Sequence, residues 1–299
     1  MVNSQIVLRP VETTELIKKV RQIEIKSRGL SANVFAGSYK TAFRGHGMSF
    51  SEVREYQYGD DVRDIDWNVT ARQNKPHIKI FEEERELTIM LMIDVSGSRE
   101  FGTTTQTKQE QITQIAATLA MSGIQNNDKI GVIFFSDRIE KYIPPQKGKK
   151  HVLAIISEML QFQPVQRGTD INRAIQYVSN AQKKRCTTFI ISDFFDQKPY
   201  MQSLQIANSK HDIVAIQVYD PRETELPDVG LMKVRDAETG QERWVDTSSR
   251  KVRKAYADWW SRTQQQMQDS FLRSRVDSVS IRTDEDFVPA LLSLFKRRS

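Results

Sequence analysis

A chain of 299 residues with 38% apolar and 27% charged content has the apolar mass of a soluble globular protein, either one large α/β domain or a domain with a substantial extension. The single cysteine, Cys186, excludes an internal disulfide, no run is long enough to span a membrane, and Met1 to Pro10 lacks the apolar core of a secretory signal, so a reducing, cytoplasmic location is expected. The net charge of +6 excludes little: it suits an anionic partner and equally well a solvated surface.

Pro10 suits a first helical turn, and Leu16, Val20 and Ile23 recur at helical spacing up to about Gly29, which predicts an amphipathic helix docked on the rest. Ser31 to Tyr39 reads as a loop. Next come Arg44-Gly-His-Gly-Met-Ser-Phe50, Arg54-Glu-Tyr-Gln-Tyr-Gly-Asp-Asp61, Val62-Arg-Asp-Ile-Asp-Trp67 and Thr70-Ala-Arg72. Asp60, Asp61, Asp64 and Asp66 resemble a nuclease metal cluster, but a structural reading is preferred. Gly59-Asp60-Asp61 is a turn and helix-start signal, Arg54, Arg63 and Arg72 are available as bidentate partners, and Tyr56 and Trp67 offer apolar surface to anchor the block. His77 to Phe81 alternates as a strand leading into Glu82-Glu-Glu-Arg85. The block has too few apolar residues for its own core. Residues 1–86 are therefore read as an extension packed on a main domain of residues 87–299.

The main domain opens with the apolar run Leu87 to Ile93, too continuous to alternate between two faces, which predicts a strand buried on both sides at the centre of a parallel sheet. At its carboxyl end, where open α/β sheets place ligands, follow Asp94, Ser96 and Ser98. In an extended loop alternate side chains point the same way, so a carboxylate and two hydroxyls converge. Hard oxygen donors with few carboxylates suit magnesium, although the fragment alone also reads as an N-cap and Asx-turn.

Thr107 to Ser122 reads as a helix, Lys129 to Phe135 as a strand, and Ile139 to Ile143 as an antiparallel edge strand that Pro144-Pro145 stops. His151 to Leu160 and Asp170 to Gln182 read as helices, the second with Thr169 at its start. Cys186 opens the strand Thr187 to Ile191, which leads to Asp193, and is read as a small buried residue. A helix over Tyr200 to Asn208 and a strand over Ile213 to Val218 follow. Leu231 to Val234 and Arg243 to Val245 form a hairpin with Glu238-Thr-Gly240 as its turn. Arg250 to Phe271 is a long helix in which Trp259 and Trp260 are packing residues; a strand over Val279 to Ile281 and a helix over Phe287 to Phe295 complete the chain. Tracing alternate ascents and descents brings Asp94, Thr169 and Asp193 to one end of the sheet without breaking the right-handed crossover rule. Lys147, Lys149, Lys150, Lys183, Lys184 and Arg185 fall at the other end, as a solvated rim or as a docking face for an acidic partner.

Asp94-Val-Ser-Gly-Ser98, Arg167-Gly-Thr-Asp-Ile171 and Phe189-Ile-Ile-Ser-Asp193 together resemble the von Willebrand factor A-like domains and their metal-ion-dependent adhesion site. The resemblance implies a doubly wound, mostly parallel six-stranded sheet with one antiparallel edge strand. It also implies a magnesium ion, or another divalent cation, held by Asp94, Ser96, Ser98, Thr169 and Asp193. In that family an acidic group from a partner often completes the ion's shell. Tyr-x-x-Gly-Asp-Asp at Tyr56–Asp61, Arg63-x-Ile-Asp-Trp67, Ala71-Arg72 and Glu82–Arg85 ahead of the strand resemble the bacterial domain-of-unknown-function fifty-eight family. Its members are typically encoded beside MoxR-type AAA+ ATPases. This resemblance implies a non-catalytic, metal-dependent protein-interaction module, an adaptor for such an ATPase in assembly or maturation of protein complexes, whose ATPase or client offers an acidic residue. Arg99 is a departure, standing where that family usually has Met, and bears on metal affinity. Two other classes are weighed against this reading. A magnesium-dependent phosphoesterase would need a second Asp two residues after Asp94, where Ser96 stands. Nucleic-acid binding through the basic face has no recognised motif behind it.

Overall fold

The computed structural model of the chain describes residues 13–30, 39, 42, 47–84, 86–103, 106–196 and 198–298. The segment before Thr13, most of the Ser31–Tyr39 loop, and Arg44, His46 and Arg85 lie outside them. The central strand β3 (Thr88–Asp94) is flanked in parallel by β4 (Lys129–Phe135) and β6 (Thr187–Ser192). Beyond β6 come β7 (Asp212–Tyr219) and β10 (Asp277–Arg282), both parallel; beyond β4 comes β5 (Ile139–Gln146), antiparallel, at the edge. The order β10-β7-β6-β3-β4-β5 is that of a doubly wound sheet with its direction of winding reversed beside β3. This mixed, mostly parallel α/β architecture is the one expected from the sequence and is consistent with a von Willebrand factor A-like fold.

The apolar run in β3 is continuous because both faces are covered. Ile89, Leu91 and Ile93 join one core with α3 (Lys108–Gln125), α4 (Lys149–Gln161) and α8 (Phe287–Arg298). Met90 and Met92 join the other with α5 (Ile171–Ala181), α6 (Met201–Lys210) and α7 (Arg250–Arg273). Helix α1 (Thr13–Leu30) lies on the first layer, where Ser27 meets Thr118 at 3.4 Å and Glu24 pairs with Lys149 at 2.7 Å. Trp260 is buried as a packing residue, whereas Trp259 is 46% exposed and stacks on Phe195.

Two expectations are corrected. Pro144 and Pro145 do not stop β5, which runs through them to Gln146 with a register shift opposite Ile130–Val132. An edge strand tolerates this, because one side of it has no ladder to donate to. Trp67 is not an anchor: it is 70% exposed, at the start of α2 (Trp67–Gln73). That helix and a 3-10 turn at Val62–Asp64 sit between the antiparallel strands β1 (Gly47–Glu55) and β2 (His77–Glu84). The carboxylates here are structural. Asp60 takes both Arg54 amines at 2.7 and 2.8 Å, Asp61 caps the 3-10 turn, and Asp66 caps α2 through Asn68 and Val69. The buried residues described in this block are Asp66, His77 and Ile78, too few for an independent core. Limited trypsin digestion is expected to leave the block joined to the rest; release of a stable fragment covering only residues 44–85 would contradict that.

At the amino edge of the sheet, Lys147 precedes α4 and Lys183 to Arg185 precede β6, opposite Asp94, as traced from sequence order. Lys147 pairs with Glu86 at 2.6 Å, which it shares with Lys129. Asp128, at the same edge, accepts from Leu87 N at 2.9 Å, and burial pushes its carboxyl up to about 7. A raised folded-state pKa contributes stability that is complete below the unfolded value and lost as pH rises through about 7. Asp128→Asn keeps an acceptor for Leu87 and is expected to flatten the fall of Tm across roughly pH 4 to 7. An unchanged slope in calorimetry would show that this carboxylate is already ionised in the fold.

Candidate functional site

The chain leaves β3 at Asp94, which is buried, and turns at once. Asp94 Oδ1 accepts from Ser96 N at 2.9 Å and Oδ2 from the Ser192 hydroxyl at 2.6 Å, so the neighbouring strand β6 fixes the carboxylate. Ser96 and Ser98 bring their Oγ atoms to 3.1 Å. Gly97 N donates to Arg167 O at 2.9 Å, which ties the Arg167–Thr169 loop to the serine loop. Past β6, buried Asp193 accepts from Phe195 N at 3.2 Å and from the Ser98 hydroxyl. Phe194 follows it with φ of 60°, a left-handed conformation rare for a bulky residue and a mark of backbone held under constraint at a site. Asp94, Ser96, Ser98 and Asp193 are thus joined directly. Thr169, 7% exposed, is brought up by its loop and donates to Glu238 Oε1 at 2.7 Å.

Three of these partners were not read from sequence: Lys108, Glu223 and Glu238. Lys108 is 1% exposed and lies between Asp193, at 2.8 Å, and Glu223, at 2.6 Å. A lysine in the first turn of α3 opposes the helix dipole, so its place is explained by its carboxylate partners and not by the helix. The available signal was its stripe: Lys108 precedes Ile112, Ile115 and Leu119 on the buried face. Arg99 instead donates to the Phe162 carbonyl at 2.5 Å, so the cation that reaches the aspartates is Lys108. Glu223 is set by a 3-10 turn, Pro221–Glu223, whose Asp220 cap it closes reciprocally.

Burial, then the charge of Asp193, pushes the Asp94 carboxyl up to about 6. Burial acts the same way on Asp193, but the ammonium of Lys108 and the hydroxyl of Ser98 hold it below the usual carboxylate range. Burial would lower Lys108, yet its two carboxylates outweigh that and raise it. Glu223 is raised, chiefly by burial.

The donor set fits a small hard cation. Two ligands at neighbouring corners of a magnesium octahedron, each about 2.0–2.1 Å from the ion, stand about 2.9 Å apart, close to the Ser96–Ser98 spacing. Asp193 and Glu223 share the ammonium of Lys108, while Asp94 and Glu238 each feel the charge of Asp193. The five residues read from sequence bring two carboxylates; Glu223 and Glu238 add negative charge near them, which favours a divalent ion. No group of three or more His, Cys, Asp or Glu among the described residues is placed to hold a metal, so an ion here depends on the hydroxyls. His77, His151 and His211 turn to Lys75 O, Ile130 O and Cys186 respectively, away from the serines.

Residues 52–266 match the family described as "Protein of unknown function DUF58". The uncharacterized protein Rv1480 of Mycobacterium tuberculosis (strain ATCC 25618 / H37Rv) is 32% identical over 233 residues, 77% of this chain and 73% of that protein. The uncharacterized protein YeaD of Bacillus subtilis (strain 168) is 26% identical over 106 residues, 36% of this chain and 24% of that one. Among solved structures, an aerotolerance-related membrane protein from Bacteroides fragilis NCTC 9343, with multiple mutations to serines, superposes with a TM-score of 0.50 at 15% identity. It covers 71% of this chain and 98% of that one, and speaks for the fold alone. In the present chain no helix among the described residues is long and apolar enough to cross a membrane.

Proposed function

The chain belongs to the family described as protein of unknown function DUF58, and from that premise we propose that it is a non-catalytic protein-interaction module whose binding depends on a divalent cation. The observation that carries this reading is the pair of serine hydroxyls 3.1 Å apart, set between the buried carboxylates of Asp94 and Asp193 at the carboxyl edge of the sheet. Asp94, Ser96, Ser98, Thr169 and Asp193 would hold magnesium, and the ion would supply a strong acceptor for a partner's Asp or Glu. The partner assigned is a MoxR-type AAA+ ATPase or its client, and the process is assembly or maturation of protein complexes. A phosphoesterase is disfavoured because Ser96 stands where a second Asp would be needed. Nucleic-acid binding is disfavoured because Lys147 and Lys149, on the basic edge, are already paired with Glu86 and Glu24.

A ligand at a hundredfold excess over its Kd stabilises the folded state by about 2.7 kcal/mol, a rise in Tm of roughly 4 °C for a chain of this size. Saturating magnesium is expected to raise Tm by that order in the wild type and to leave the Ser96→Ala, Ser98→Ala double variant unchanged. Identical melting with and without magnesium in the wild type would rule the cation out.

A further inference from the structure

The hairpin of β8 (Leu231–Arg235) and β9 (Glu242–Asp246) meets the site through its turn. Its base is fastened by Thr247, which bonds the Gly230 carbonyl through both N–H, at 2.8 Å, and hydroxyl, at 2.7 Å. Between base and tip a groove separates it from Phe101, Arg222 and Tyr256 on the body of the domain. Its turn lies flush on the serine loop: a Cβ on Gly97 would fall 2.2 Å from Ala237 O, so only glycine admits the approach. Asp236 Oδ1 accepts from Glu238 N and Thr239 N, at 3.0 and 2.7 Å, which stiffens the turn and aims Glu238. The Glu238 carboxylate then reaches Thr169 at 2.7 Å.

No ion pair reaches the Glu238 carboxylate among the described residues, and the side chain that holds it there is Thr169. That threonine belongs to the candidate metal set.

We propose that Glu238 is the carboxylate that completes the cation's shell in the resting protein, making the β8–β9 hairpin a built-in plug that an acidic partner must displace. The inference rests on the metal-site reading above and adds its regulation: the chain's own acid and the partner's acid compete for one ion. Fastening at the base, with a groove behind, gives the tip room to lift without unfolding the sheet.

The test uses the full chain and Mn2+ alone as the probe, with wild type, Glu238→Gln and Asp94→Ala compared. Affinity is read by calorimetry, and water on the bound ion by proton relaxivity. Glu238→Gln is expected to weaken Mn2+ by at least the roughly 10-fold that losing even an outer partner costs. It should also raise the relaxivity per bound ion, because water replaces the carboxylate. In hydrogen exchange, Mn2+ should protect residues 231–246 in the wild type and not in Glu238→Gln. If Asp94→Ala abolishes Mn2+ binding while Glu238→Gln keeps wild-type affinity and relaxivity, the plug is refuted and the metal site stands. If the wild type binds no Mn2+, both fall.

Discussion

Lys108→Met should destabilise the fold by about 3–5 kcal/mol near neutral pH, the cost of leaving a buried charge without its partner. The ammonium is 1% exposed and bonds Asp193 and Glu223 at 2.8 and 2.6 Å. Removing it leaves two carboxylates in a site that Asp94 and Glu238 already load with negative charge. Met keeps the volume and the α3 packing, so the loss reports the charge and not a cavity. The sign with pH follows. In the variant the two orphaned carboxyls have raised folded-state pKa values, so their contribution is complete below the unfolded values near 4 and is lost as pH rises. The gap to wild type should therefore close on acidification. Denaturant melts at roughly pH 5 and pH 8 measure it. A difference under about 1 kcal/mol at both would mean that this lysine behaves as a surface one.

Asp94→Ala should remove cation binding while changing stability little. The carboxylate makes two hydrogen bonds, with Ser96 N and Ser192 Oγ, each contributing about 1 kcal/mol. Against that, its burial and its repulsion with Asp193 push its pKa up to about 6, and both penalties vanish with the side chain. The opposing terms leave the fold near its wild-type stability, and the cation loses the anchor at the end of β3. Circular dichroism and melting should match wild type while Mg2+ no longer shifts Tm; a variant that fails to fold would show Asp94 to be a core residue first.

Most of the sheet was legible because its causes are local. Leu87 to Ile93 is continuous, so β3 had to be covered on both faces, and the strand directions followed from the alternating helices and the crossover rule; the strand order itself came only with the structure. The Asp94, Ser96 and Ser98 triplet was legible because its members are two residues apart. What stayed hidden came from tertiary contact. Lys108 stands in a helix whose own sequence gives it no partner, and Asp193 and Glu223 come from elements 85 and 115 residues away. Glu238 looked like a hairpin-turn residue until the turn closed on Gly97 and Thr169. Trp67 carried the apolar surface expected of an anchor, but what a side chain packs against is not written in its own type. Pro144 and Pro145 were read as a stop because being at an edge is a property of the sheet, not of the dipeptide.

The claim that recognition runs through a cation at Asp94 is tested most directly by binding to a MoxR-type ATPase, the partner proposed above. It is measured for wild type and Asp94→Ala, each with magnesium and with chelator. Binding is expected in only one of the four conditions, wild type with magnesium. Equal binding in all four would place recognition on another surface and leave the serine loop without a role in it.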